Sequence, residues 1–167
     1  EMVAGYLCQR SRKNEKNTYD CFRNRVMFPI IDTTGNIVAF GGRVLDDSKP
    51  KYLNSADTPA FKKSRHLFAL NYARKHTENG FILCEGYMDV IALHAAGFEN
   101  AVATLGTAIT PDHARIMKKY TDKVIISYDS DEAGQKAADK ALRLLGDAGV
   151  DAKVLTIPGV KDPDEYI

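Results

Sequence analysis

Three groups of acidic residues sit where apolar, strand-like runs end. Phe81-Ile82-Leu83-Cys84 stops at Glu85-Gly86, and Val124-Ile125-Ile126-Ser127-Tyr128 stops at Asp129-Ser130-Asp131. The run from Ala152 to Ile157 is followed, after Pro158-Gly159, by Asp162-Pro163-Asp164. In an open α/β sheet, groups just past the carboxyl ends of parallel strands converge on one crevice. Carboxylates collected there repel one another unless a cation lies between them. Hard oxygen donors with incomplete coordination suit Mg²⁺, which keeps waters and completes its shell with substrate phosphates. The pattern points to a magnesium site for phosphoryl-transfer chemistry.

The elements that must position these acids follow from residue 81 onward. Strands are predicted near 81–84, 101–104, 124–128 and 152–157, and helices over 87–96, 111–120 and 132–145. Thr110-Pro111 opens the second helix with an N-cap and a proline at the first helical position. Asp131-Glu132 opens the third, where acidic residues favour the positive end of the helix dipole. Strands alternating with helices imply a parallel sheet joined by right-handed crossovers. Upstream the rhythm differs. Residues 1–24 lack periodicity and read as loop. Arg25 to Ile31 and Ile37 to Leu45 read as a hairpin around Asp32-Thr33-Thr34-Gly35-Asn36. Gly41-Gly42 suggests a bulge or a close backbone approach. Residues 46–65 read as irregular, residues 67–76 as a short helix, and Asn79-Gly80 as a turn. The expected division is a basic subdomain over 1–80 and an α/β domain over 81–167.

Bulk properties narrow the class. With 167 residues, 44% hydrophobic and 27% charged, the chain suits a globular domain. No apolar run approaches the roughly 20 residues of a membrane span, and the first residues show no signal peptide. The chain reads as a piece of a longer protein. Three cysteines without a Cys-x-x-Cys argue against a disulfide framework and against zinc. The net charge of +1 hides a split: residues 1–80 carry 14 Lys+Arg against 8 Asp+Glu, and residues 81–167 carry 9 against 14. A basic half beside an acidic half suggests that one part neutralises phosphates while the other holds cations. His94 and His113 have no histidine or cysteine partner at ligand spacing and read as structural or surface residues. Asp89, one turn into a helix, reads as structural or as a support behind the acidic site.

Glu85-Gly86 after one strand and Asp129-x-Asp131 after another resemble the Toprim signature. Longer strings are more specific. Glu85-Gly86-Tyr87-Met88-Asp89-Val90, Leu105-Gly106-Thr107-Ala108, Asp129-x-Asp131-x-Ala133-Gly134 and Lys161-Asp162-Pro163-Asp164-Glu165 resemble the bacterial DnaG-type primases. So do Arg25-Val26-Met27-Phe28-Pro29-Ile30, Phe40-Gly41-Gly42-Arg43 and Lys51-Tyr52-Leu53-Asn54-Ser55. The resemblance covers essentially the whole chain. Ser130 departs from it, since the family usually places glycine there. The fold it implies is a Toprim-type parallel sheet flanked by helices, preceded by a smaller basic α+β subdomain.

The activity it implies is DNA-directed synthesis of short RNA primers on a single-stranded DNA template from ribonucleoside triphosphates. Two or more Mg²⁺ or Mn²⁺ ions would serve it, with Glu85, Asp129, Asp131, Asp162 and Asp164 as ligands. Glu85, Asp129 and Asp131 would be catalytic, and Glu85 is either a ligand or the general base. Nucleotide or nucleic-acid contacts are expected from Arg25, Arg43, Lys51, Tyr52, Asn54 and Lys63, with Tyr52 and Phe61 available to stack on bases. Arg25 equally could anchor the subdomains to each other. Gly86 and Gly134 either permit close backbone approach at the crevice or are ordinary turn and packing glycines, and Leu105-Gly106-Thr107 either helps to shape that crevice or is a simple loop. The resemblance further implies a bacterial, cytoplasmic replisome location and a replicative helicase bound through a domain outside this chain. The alternatives are another Toprim enzyme (a topoisomerase or nuclease), a non-catalytic nucleic-acid-binding module and a phosphate-binding regulatory domain.

Overall fold

The computed structural model describes residues 2–156 and 165–167 in full and Pro163 and Asp164 as backbone. Two compact units divide between Lys62 and Lys63.

The first unit opens with β1 (Cys8–Arg10) paired antiparallel to β2 (Thr18–Asp20), where the sequence predicted loop. The pairing leaves no periodic trace because β2 is exposed throughout. It rests on its turn, in which Asn17 N–H donates to the Asn14 carbonyl at 2.9 Å and Ser11 N–H to the Asn17 carbonyl at 2.8 Å. The predicted hairpin forms as β3 (Arg25–Ile31) and β4 (Ile37–Val44). Asp32 builds its turn: one carboxylate oxygen accepts from Thr34 N–H at 2.9 Å, Thr34 Oγ1 at 2.7 Å and Asn36 N–H at 2.9 Å. A third strand, β5 (Tyr52–Asn54), pairs with β4 inside the stretch expected to be irregular. Gly42 is a close approach, since a Cβ there would stand 3.0 Å from the Phe22 ring and 3.1 Å from the Arg25 side chain. The register irregularity lies instead between Ile30 and Ile31.

The second unit begins with a 3₁₀ turn at Lys63–Arg65 and α1 (Leu70–Ala73). The helix expected over 67–76 is shorter because Phe68 bridges to Ala103 and Ala69 takes a left-handed φ of 63°. Leu67, Leu70 and Ala73 share a core with Phe81 and Leu83, so residues 63–80 pack with the sheet that follows them. That sheet contains β6 (Phe81–Cys84), β7 (Ala101–Ala103), β8 (Lys123–Ser127) and β9 (Asp151–Val154), all parallel, in the order β7-β6-β8-β9.

Three helices connect the strands: α2 (Tyr87–Ala95), α3 (Pro111–Lys118) and α4 (Glu132–Asp147). Leu83 and Val102 bury against α3 and α4, among Met117, Ala141 and Leu145. Cys84, Ala101 and Ala103 bury on the opposite face, against Val90 and Leu93 of α2. Successive strand residues thus point to opposite faces, and both faces are apolar, as a parallel sheet requires. The chain leaves β6 toward one edge and later leaves β8 toward the other. With crossovers of one hand, α2 must then cover one face while α3 and α4 cover the other. The short α5 spans Pro163–Tyr166.

Candidate functional site

That reversal of strand order creates a switch point between β6 and β8, the place where open α/β sheets bind ligands. Cys84 lies opposite Ser127 across the two strands. Glu85 follows directly on one side, and Tyr128 and Asp129 on the other. Glu85 is exposed and Asp129 half-buried. Asp131 is exposed and caps α4, with Oδ1 accepting from Gly134 N–H at 2.8 Å. The Asp129 carbonyl occupies the place where a Cβ on Gly134 would stand. Only glycine lets the turn carrying both aspartates fold this tightly onto the helix. Gly86 differs, because a Cβ there would lie 3.4 Å from Asp89 Oδ2, an ordinary contact. Asp89 is buried and accepts from Gly86 N–H at 3.0 Å, bracing the turn that follows Glu85.

A cavity of about 340 Å³ opens beside Glu85, lined also by Thr104, Gly106, Thr107, Tyr128 and Lys140. The Leu105-Gly106-Thr107 loop therefore borders the same crevice as Glu85. Burial, reinforced by the nearby Glu85 and Cys84, pushes the Tyr128 phenol well above its usual range, so it remains an O–H donor. Sequence reasoning missed Tyr128, which it read only as the end of a strand. Carboxylates at neighbouring strand ends suit a hard cation chemically. Among the described residues, however, no three His, Cys, Asp or Glu side chains gather to hold one ion. Asp162 and the side chain of Asp164 lie outside the described residues.

The two histidines are structural. His94 Nε2 lies 2.9 Å from the Ala101 carbonyl. His113 is fully buried and bonds through both ring nitrogens, to Thr110 N–H and to the Lys63 carbonyl.

In the first unit, Arg43, Tyr52 and Asn54 lie on the paired strands β4 and β5, with Arg43 opposite Tyr52. The Arg43 guanidinium stands 5.8 Å from the Tyr52 ring centre and the Lys51 ammonium 6.0 Å from it. Tyr52 therefore already carries two cations. Arg25 directs its guanidinium to the carbonyls of Gly42, Pro50 and Lys51, at 3.3, 2.9 and 3.4 Å, so its donors brace this unit internally. Phe61 is fully buried, which corrects the expectation that it stacks on bases. Lys63 belongs to the second unit.

Two families match the chain. Residues 2–74 match the N-terminal domain of the DNA primase catalytic core, and residues 82–167 match a Toprim-like family. A DNA primase of Clostridium acetobutylicum is 52% identical over 98% of this chain. The chain belongs to the bacterial DnaG-type DNA primases. It spans 27% of the Clostridium primase's length. The crystal structure of the Aquifex aeolicus primase, covering its zinc-binding and RNA polymerase domains, is 42% identical, with a TM-score of 0.91 over 98% of this chain and 41% of that one. A DnaG primase catalytic domain bound to single-stranded DNA is 39% identical, with a TM-score of 0.89 over 99% of this chain and 54% of that one. The primase families divide between residues 74 and 82, later in the chain than the division into compact units.

Proposed function

We propose that this chain carries the polymerising centre of a replicative primase, a DNA-directed RNA polymerase and nucleotidyltransferase that starts RNA primers on single-stranded DNA. The observation that carries this reading is the pairing of β6 with β8, which brings the strand end before Glu85 level with the strand end before Asp129 in a region that matches a Toprim-like family. Glu85, Asp129 and Asp131, joined by Asp162 and Asp164, would hold Mg²⁺ or Mn²⁺. Bound in pairs roughly 3.5–4 Å apart, such ions stabilise charge on the attacking and leaving oxygens of an in-line displacement. Glu85 either shares in that binding or accepts the proton of the attacking 3′-hydroxyl.

The domain roles follow the charge split. Residues 1–80 bind template and nucleotide, and residues 81–167 hold metal and carry the chemistry. Arg43, Lys51, Tyr52, Asn54 and Lys63 meet phosphates of the template or the incoming ribonucleoside triphosphate. Tyr52 acts by holding Arg43 and Lys51 over its ring. Arg25 supports that surface from behind through its carbonyl contacts. The protein works in the bacterial cytoplasm at the replisome, beside the replicative helicase. Among the described residues no helix is long and apolar enough to cross a membrane.

Primer synthesis by the intact protein on single-stranded DNA, with ribonucleotides and Mg²⁺, tests the reading. Asp129→Asn should abolish synthesis while the circular dichroism spectrum stays unchanged. Synthesis at the wild-type rate would remove the metal assignment. Relaxation of supercoiled DNA by the intact protein would instead favour topoisomerase chemistry.

A further inference from the structure

The 3₁₀ turn Lys63–Arg65 buries none of its residues, so apolar packing does not fix it. Each of its three residues is nevertheless tied to the start of α3. His113 Nε2 lies 2.8 Å from the Lys63 carbonyl. Thr110 Oγ1 donates to the Ser64 carbonyl at 2.8 Å. Arg65 Nε meets Asp112 Oδ2 at 3.0 Å. The geometry also settles the histidine tautomer. Thr110 N–H can only donate, and it points at His113 Nδ1, 3.2 Å away. Nδ1 is therefore the acceptor, and Nε2 carries the proton given to Lys63. Thr110 Oγ1 in turn accepts from His113 N–H at 3.2 Å, so cap and clamp are one network. A buried imidazole costs desolvation that leucine would not. Its return here is a donor that reaches past the helix cap to the backbone of Lys63.

We infer that His113 is a positioning residue for Lys63, holding the turn so that the Lys63 ammonium meets a phosphate group of DNA or nucleotide. The inference rests on the proposed phosphate contact of Lys63. Without the His113 bond the Lys63 carbonyl loses its tie while Ser64 and Arg65 keep theirs, and the lysine at the start of the turn is aimed less tightly.

Asparagine and glutamine separate the two arms of the ring. In His113→Asn, Oδ1 can still accept from Thr110 N–H but the side chain is too short to reach the Lys63 carbonyl. In His113→Gln, an N–H donor returns near the position of Nε2. In the intact protein, binding of a fluorescein-labelled single-stranded DNA and of a fluorescent ATP analogue would be measured at fixed salt. Lys63→Ala identifies which of the two phosphate ligands the lysine meets. For that ligand, His113→Asn should weaken binding about three- to tenfold, the scale of one hydrogen bond. His113→Gln should restore it to within about twofold, and His113→Asn should add nothing in a Lys63→Ala background.

An equal loss with and without the Lys63 side chain would overturn the inference, as would wild-type binding by His113→Asn. If Lys63→Ala leaves both ligands unaffected, the reading of Lys63 itself fails, and the inference with it. Should His113→Asn fail to fold, Thr110→Val, which cuts only the Ser64 tie and the cap, carries the same double-mutant comparison.

Discussion

Asp131 caps a helix and is proposed to hold metal, two roles that substitution can separate. Its Oδ1 caps α4 through Gly134 N–H, and a cap of this kind contributes about 1 kcal/mol. The proposed metal role needs the charge, whereas the cap needs only an oxygen. Asp131→Asn should therefore keep the melting temperature near wild type and lose primer synthesis. Asp131→Ala should lose both, with a stability cost of about 1 kcal/mol. Thermal melts beside primer assays check the pair, and full synthesis by Asp131→Asn would leave the aspartate as a cap alone. Gly134 has no such latitude. Alanine normally improves a helix interior by up to about 1 kcal/mol over glycine, but here its methyl meets the Asp129 carbonyl. Gly134→Ala should cost about 1–3 kcal/mol net, the range for overpacked sites, measured by urea unfolding.

At the scale of elements, two carry pH dependence of defined sign. The β3–β4 turn donates several hydrogen bonds to the Asp32 carboxylate and, led by Thr34, lowers its pKa to about 2, from 3.8. The unfolded chain then binds the proton more readily, so this contribution is complete above about pH 3.8 and is lost as pH falls toward 2. Asp32→Asn should be less stable than wild type at pH 5, with the gap closing toward pH 2. The start of α3 behaves alike for a different reason: burial holds the His113 imidazole below its usual 6.5. Stability from this site is complete above about pH 6.5 and declines below it, as the unfolded chain takes up the proton. Between pH 7.5 and 5.5 the wild type should lose more of its melting temperature than His113→Gln does.

The elements the sequence revealed are those with strong periodicity or punctuation. Strands β6 to β9 were legible as apolar runs, α3 by Thr110-Pro111, and the β3–β4 hairpin by the turn chemistry of Asp32. Strands β1, β2 and β5 were not, because three residues apiece, with Cys8 alone of the nine buried, carry no pattern and their pairing is decided by distant partners. The strand ends that precede the candidate acids Glu85 and Asp129 were legible as apolar runs that stop at a carboxylate. The clamp on Lys63 was not, since nothing in the local sequence shows that His113 reaches a carbonyl far back along the chain.

Across the whole molecule, the proposed division of labour follows the uneven charge of residues 1–80 and 81–167. The cations Arg43, on β4, and Lys51, just before β5, should account for part of the salt dependence of DNA binding. Each phosphate contact contributes a slope of about −0.7 in log affinity against log salt on single strands. Lys51→Ala should flatten that slope by about one contact, and Tyr52→Leu should flatten it as well, because the ring that supports Lys51 and Arg43 is gone. Tyr52→Phe, which keeps the ring face, should leave it unchanged. Fluorescence anisotropy across a salt series reads all three, and loss by the phenylalanine variant would assign the phenol a direct contact instead.

The strand order has a consequence for synthesis on the ribosome. β6, the strand carrying Glu85, leaves the ribosome before both of its neighbours, β7 and β8. Its apolar edges must wait for partners that arrive later, one on each side. Until β8 has emerged and docked, the strand end before Glu85 has no neighbour on that side. A growing chain therefore passes through an interval in which an apolar strand waits with both edges unpaired, the state most open to pairing with another chain.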